Sequence, residues 1–277
     1  MALHKRLVFG DFHGHFDSLK EIYDNEMPYS VIHLGDYFDN FSNDVPGIKN
    51  AFTSLIKLKE SHEKDVKNGE FTLLLGNHDY HYLQYGLEQY SGYNKGYDLW
   101  AHQQLKDLWD RKQIKLVEYD YSTKTVYSHA GITNTWLKEN RMEGIDIHYL
   151  NEGINLFTLR FTYLNGGDWY GDTKFSSPIW VRPYSLLSDR YTDSEGDTWT
   201  QIVGHTHETT PVCYYEKNKR VGYPRATDYN IINQKKEKPI LYVMDCMPKY
   251  YIREFITTEG EVKSREIVKN DNYKKYA

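Results

Sequence analysis

Three apolar runs of strand length, Arg6–Phe9, Ser30–Leu34 and Phe71–Leu75, each stop at a glycine followed by Asp or Asn. Between them Phe16, Leu19, Ile22 and Tyr23 recur at helical spacing, and so do Ile48, Phe52, Leu55 and Ile56. Apolar runs alternating with amphipathic helices predict βαβ units and a largely parallel sheet. Such a sheet gathers the carboxyl ends of its strands at one edge, where ligands collect. Asp11, Asp36 and Asn77 are therefore predicted to meet there, on glycine turns that permit close backbone approach.

The rest of the chain is read more coarsely. A helix is predicted over Tyr97–Lys112, with Leu99, Leu105, Leu108 and Trp109 as its apolar positions, then strands at Lys115–Tyr119 and Thr125–Ser128. Ile145–Arg160 reads as one helix, and Gly166–Ser177 and Asp189–Asp197 as loops. From Gln201 onward the pattern is strands: Gln201–Val203, Val212–Tyr215, Leu241–Met244, and a hairpin of Tyr250–Thr257 with Glu261–Ile267. Lys235–Lys238 is a charged turn, and Lys269–Ala277 is expected to fray. With 277 residues the chain can bury a full core as one large α/β domain or two small ones. No linker or repeat divides it, so the reading is one domain over 1–277 with an irregular, cap-like region at about 137–200.

A net charge of −5 argues against an extended nucleic-acid-binding face. Cys213 and Cys246 lack metal-type spacing, and a reduced, cytoplasmic chain is the default. The strand-like Leu7-Val8-Phe9 leaves no room for a signal peptide, and no apolar stretch approaches membrane-spanning length. The expectation is a soluble, intracellular protein with no membrane partner.

Five short segments carry the chemistry: Gly10–Gly14 (Gly-Asp-Phe-His-Gly), Gly35–Asp39 (Gly-Asp-Tyr-Phe-Asp), Gly76–Asp79 (Gly-Asn-His-Asp), Ser128–Gly131 (Ser-His-Ala-Gly) and Gly204–His207 (Gly-His-Thr-His). Taken singly, each polar residue reads equally well as a cap or a satisfied core group. Taken together, hard oxygens and imidazole nitrogens suit Mn, Fe or Zn ions. A carboxylate bridging two such ions clamps both the attacking and the leaving oxygen of an in-line displacement at phosphorus.

In this order the segments resemble the calcineurin-like metallophosphoesterases, the superfamily that includes phosphoprotein phosphatases and bis(5′-nucleosyl)-tetraphosphatases. The resemblance runs from Gly10 to His207. It implies a four-layer α/β/β/α sandwich of two mixed sheets flanked by helices. It also implies a dinuclear centre of two divalent ions, Mn foremost, with Fe or Zn as alternatives. Asp11 and His13 would bind the first ion, Asp36 would bridge, and Asn77, His129 and His205 would hold the second. His207 matches a first-ion ligand of the superfamily's general pattern, a position that is usually not histidine in the phosphoprotein-phosphatase-like branch. His78 matches the proton donor to the leaving group, and Asp39 its carboxylate partner. The nucleophile implied is a hydroxide bridging the ions.

Phosphoprotein phosphatases carry a phosphate-binding Arg after the second motif; here Asn40 stands there, a neutral hydrogen-bonding substitute. Pro178–Arg182 resembles the segment that delivers a second such arginine, and Arg182 is the expected substrate clamp. Other polar residues have plainer readings. His33 is expected in the core or just behind the ligands, and His15 and His81 in local packing or facing solvent. Asp168, Trp169 and Asp172 are expected in a surface loop, and Asp245 in a structural role.

The function expected is hydrolysis of a phosphomonoester, with a phosphoprotein or nucleotide as substrate. Asn40 and His207 keep a second reading open, cleavage of dinucleoside polyphosphates or phosphodiesters. A third is a metallophosphoesterase fold kept only as a binding scaffold, which the full ligand set and His78 oppose.

Overall fold

The computed structural model describes residues 3–39, 44–84, 89, 92–151, 161, 172–215, 239–245 and 249–271. Its strands are β1 (His4–Phe9), β2 (Ser30–His33), β3 (Phe71–Leu74), β4 (Ile114–Lys115), β5 (Val117–Asp120), β6 (Thr125–Ser128), β7 (Thr200–Val203), β8 (Val212–Tyr214), β9 (Leu241–Val243), β10 (Tyr250–Ile256) and β11 (Val262–Lys269). Its helices are α1 (Phe16–Glu26), α2 (Val45–Asp65), α3 (Asn77–Leu83), α4 (Asp98–Asp110), α5 (Asn134–Glu139) and α6 (Pro183–Ser188), with a 3-10 turn at Ile147–Asn151.

Two mixed sheets face one another, with helices outside. The first runs β11-β10-β1-β2-β3-β4 and the second β5-β6-β7-β9-β8. β1 to β4 are parallel neighbours, as the strand–helix alternation predicts, while β10 and β11 add an antiparallel hairpin at one edge. In the second sheet β6, β7 and β9 are parallel, and β5 and β8 close the edges antiparallel.

Burial explains the layering. Val8, Ile32, Leu34 and Leu74 point inward from the first sheet against Tyr127, Ile202, Tyr242 and Met244 from the second. Alternate residues Leu7, Phe9, Val31 and Leu73 face outward under Leu19 and Ile22 of α1 and Phe52 and Leu55 of α2. Period-two strands are thus buried on both faces, which is why they read as continuous apolar runs. Behind the second sheet, Val203, Leu241 and Val243 pack on Val181 and Leu186. Each fully buried aliphatic side chain contributes about 1.5–3 kcal/mol relative to exposure.

The run expected as one strand over Lys115–Tyr119 is two. β4 closes the first sheet and β5 opens the second, with buried Leu116 between them. Asn151 fixes this crossover: its Oδ1 accepts the N–H groups of Leu116 and Val117 at 3.0 and 3.2 Å, and its Nδ2 donates to the Val117 carbonyl at 2.8 Å. Of the helix expected over 145–160, the described part is the 3-10 turn at Ile147–Asn151, and 152–160 lie outside the described residues. Lys235–Lys238 and residues 272–277 also lie outside, whereas Lys269 is the last residue of β11 rather than frayed. In the 137–200 region, Leu137, Ile147, Leu150 and Phe161 are buried in the main core.

A cavity of about 510 Å³ opens at the amino ends of β1 and β2, lined in part by Arg6, Ser30, Thr72, Glu118, Asp120 and Glu261. Three of its acids are already paired: Glu118 with Lys115, Asp120 with Arg6, Glu261 with Lys263. The polar residues of the five segments gather at the other end of the sheets.

Candidate metal centre

Six parallel strands, three from each sheet, end at one place. β1 delivers Asp11 and His13, β2 delivers Asp36 and Asp39, and β3 runs into α3, which begins with Asn77 and His78. From the second sheet β6 ends at His129, β7 leads to His205, and β9 leads to Asp245. The glycines of the segments are there because side chains occupy the space a Cβ would need. A Cβ on Gly204 would lie 2.0 Å from Asp11 Oδ1, and one on Gly76 would lie 2.1 Å from Asp36 Oδ1. Four of the residues brought together, His13 (φ 43°), Asp36 (φ 56°), Asp39 (φ 62°) and His205 (φ 63°), adopt left-handed backbone conformations. Such conformations cost energy for residues with a Cβ and persist where the surroundings over-determine them.

The donor atoms converge without hydrogens to share. His129 Nδ1 donates to the Leu34 carbonyl at 2.9 Å, so its Nε2 carries a lone pair. That lone pair faces Asn77 Oδ1 at 2.8 Å and Asp36 Oδ1 at 3.4 Å. His205 Nδ1 lies 2.9 Å from the same Asn77 oxygen. His13 is arranged alike: Nδ1 donates to the Phe38 carbonyl at 2.9 Å, and Nε2 stands 3.8 Å from Asp36 Oδ2. Burial first, then neighbouring histidines, pushes His13 down to about 4, and burial takes His129 down to about 3. Neutral imidazoles with a lone pair aimed inward are the form that ligates metals.

The carboxylates point the same way. Burial, with repulsion from Asp245 and Asp36, drives Asp11 well above the carboxylate range. Burial also raises Asp36 to about 7, against the opposing pull of His78. Asp11, Asp36 and His129 offer atoms within 4.8 Å of one another, all buried. Acceptors crowded in this way repel one another, and divalent cations between them would turn that repulsion into attraction. The residues therefore fit a metal centre.

His78 stands beside it. Its backbone N–H donates to Asp36 Oδ1 at 2.9 Å, and its Nδ1 lies 3.0 Å from Asp39 Oδ2. Burial lowers the imidazolium, but Asp36 and Asp39 outweigh it and lift His78 to about 9. Arg182 approaches from the second sheet. Pro183 starts α6 directly after it, Trp180 packs edge-on against His205 with centroids 5.5 Å apart, and Arg182 Nη1 lies 3.5 Å from Thr206 Oγ1.

His207 sits on the rim with its side chain 67 % exposed, Nδ1 3.9 Å from Asp245 Oδ1. His33 is buried and accepts the Gly35 N–H on Nδ1 at 3.2 Å. Asp172 is buried, not in a surface loop, and its carboxylate receives the Ser185 N–H in the first turn of α6. Asn40, Asp168 and Trp169 lie outside the described residues. Asp245, read as structural, is buried and shares a side-chain hydrogen bond with Asp11. His81 is fully buried, with Nε2 2.7 Å from Asp39 Oδ2. Tyr82 and Tyr97 also donate to Asp39, and neither stands out in the sequence. A separate acidic group, Asp193, Glu195 and Asp197, already surrounds the Lys124 ammonium.

The family model for calcineurin-like phosphoesterases matches residues 4–274. No curated protein matches the chain. Among solved structures, the fold is similar to a protein serine/threonine phosphatase from Saccharomyces cerevisiae with similarity to human phosphatase PP5. The TM-score is 0.51 at 12% identity, covering 96% of this chain and 80% of that one. A conserved uncharacterized protein from Streptococcus pneumoniae, described as a predicted phosphoesterase, matches at TM-score 0.29 and 14% identity, covering 98% and 99%. No helix among the described residues is long and apolar enough to cross a membrane. The chain belongs to the calcineurin-like phosphoesterase family, as a metal-dependent phosphoesterase.

Proposed function

We propose that this chain hydrolyses phosphomonoesters in the manner of the phosphoprotein-phosphatase-like branch it resembles. The observation that carries the reading is the convergence of His129 Nε2, His205 Nδ1, Asn77 Oδ1 and Asp36 Oδ1 on one buried point. Asp11, His13 and Asp36 would hold one divalent ion, and Asp36, Asn77, His129 and His205 a second. His207 joins the first set only by turning its exposed ring inward past Asp245. The donor set accepts Mn, Fe and Zn, and we favour Mn for its hard oxygen ligands. When bound, such ions supply Lewis-acid charge and lower the pKa of water towards neutrality.

The protein's own groups do the rest. Arg182 grips phosphate oxygens with a planar fork and orients the ester. Asp39 stands at Nδ1 of His78, which supports Nε2 as the nitrogen that would hand a proton to the leaving oxygen. Asn40 is proposed as a neutral contact to the same phosphate. The substrate would be a phosphoprotein or a nucleotide, met in the cytoplasm.

Turnover of p-nitrophenyl phosphate against bis(p-nitrophenyl) phosphate, with added Mn(II), tests the reading. Preference for the monoester is expected. Preference for the bis ester would instead support the dinucleoside polyphosphate or phosphodiester alternative, and two bound ions without hydrolysis of either would support a binding scaffold.

A further inference from the structure

We propose that Tyr97, with Tyr82, is a positioning residue for proton transfer by His78, acting through the carboxylate of Asp39; this rests on the phosphoesterase reading above. Asp39 is buried, yet both its oxygens are engaged. Oδ1 accepts the Tyr97 hydroxyl at 2.6 Å and the Tyr82 hydroxyl. Oδ2 faces His78 Nδ1 at 3.0 Å and His81 Nε2 at 2.7 Å. The two phenols therefore divide the carboxylate: they saturate one oxygen and turn the other towards the histidines.

Each phenol is itself tied down. Tyr97 receives the backbone N–H of Asp39 at 3.2 Å, and Tyr82 receives that of Asn94 at 2.8 Å. Tyr97 thus holds both the side chain and the main chain of Asp39, a residue whose left-handed backbone (φ 62°) needs an external restraint. The rings pack as a block: Phe38 lies 5.9 Å from Tyr97 and 5.4 Å from Tyr82, and Tyr93 stacks on Tyr82 at 4.9 Å. Gly92 closes the block, since a Cβ there would come within 3.0 Å of Asp39 Cβ. Burial and the Asp39 charge hold both phenols well above their ordinary range, so they stay donors.

A carboxylate that has lost a donor on Oδ1 can rotate, and His81 Nε2 stands 2.7 Å from the same Oδ2 that faces His78. The His78 ring then loses its fixed aim, which matters only where the leaving oxygen needs a proton. Loss of Tyr97 should therefore act on kcat for poor leaving groups and spare substrate binding.

The test uses the full chain with Mn(II), p-nitrophenyl phosphate and phenyl phosphate. Tyr97→Phe is expected to lower kcat for phenyl phosphate about tenfold, with a much smaller change for p-nitrophenyl phosphate and no change in KM or bound metal. In a His78→Asn background, Tyr97→Phe should cause no further loss, because the two act as one unit. A ratio of the two kcat values equal to wild type, or a further tenfold loss in the His78→Asn background, overturns the proposal. If Tyr97→Phe does not fold, Tyr82→Phe carries the same comparison. A wild-type chain that hydrolyses neither ester overturns the phosphoesterase reading itself, and this proposal with it.

Discussion

Asp79 accepts the backbone N–H of Asp36 on Oδ2 at 2.9 Å, so the proposed bridging residue is held by the fourth residue of another motif. The same carboxylate accepts the N–H groups of Tyr37 at 2.7 Å and Gly76 at 2.9 Å. It is completely buried and ties the β2 turn to the start of α3. Gly-Asn-His-Asp therefore does two jobs, presenting Asn77 and His78 to the candidate centre and locking the Asp36 turn from beneath.

Asp79→Ala would leave three buried N–H groups without an acceptor, at about 1–3 kcal/mol each. The expected destabilisation is at least about 3 kcal/mol, a fall in Tm of roughly 6–12 °C. Thermal melting monitored by circular dichroism checks this, and a fall below about 2 °C contradicts it.

Gly204 has no room for a methyl group because Asp11 Oδ1 fills its place. Gly204→Ala should displace Asp11 and weaken Mn(II) binding about 10–100-fold, the scale seen when the support of a ligand is lost. Titration calorimetry reads this directly; unchanged affinity in a folded variant would remove Asp11 from the centre.

Arg182 is expected to act on the substrate rather than on the ions. Arg182→Ala should reduce kcat/KM about 10–100-fold, mainly through KM, as loss of a charge-assisted contact predicts. Arg182→Lys should recover only part, since it restores charge without the fork. A fall in kcat with KM unchanged would argue against a clamp.

Far from the centre, Glu254 joins the two sheets. It accepts Arg6 Nε at 2.6 Å, Arg265 Nε at 2.6 Å and the Tyr127 hydroxyl at 2.8 Å. Burial would raise its pKa, but Arg265 and Arg6 outweigh burial and hold it below the usual range. A carboxyl depressed in the folded state contributes stability above its unfolded pKa of about 4.3 and loses that contribution as pH falls through the folded value. Glu254→Gln removes the charge partner of the buried Arg265 guanidinium and leaves Arg6 with Asp120 alone, an expected loss of about 3–5 kcal/mol at pH 7. Urea unfolding should show the gap to wild type narrowing below about pH 4.3. A gap that stays constant from pH 7 to pH 3 contradicts the linkage.

Much of the fold and the site is readable because chemistry and geometry coincide in single segments. A strand that ends in Gly-Asp announces both the strand and the polar group at its tip. The split of Lys115–Tyr119 between two sheets is not readable, since an apolar run does not say which sheet will take it, and the Asn151 that decides it is distant in sequence. The short helices α3, α5 and α6 span too few turns to show a period. Tyr82 and Tyr97 gain their meaning only from folding beside Asp39, 43 and 58 residues away. Asp245 illustrates the same limit: its strand is legible, but its contact with Asp11 is made by two sheets meeting.

Metal content separates a two-ion centre with Asp36 as the proposed shared ligand from any lesser site. Wild type and Asp36→Asn, loaded with Mn(II) and freed of loose ions by gel filtration, are compared by plasma mass spectrometry. Close to two ions per wild-type chain are expected, and almost none in the variant, since the carboxylate proposed to serve both ions is lost. Wild type carrying less than one ion, or Asp36→Asn retaining two, would contradict a two-ion centre that shares Asp36.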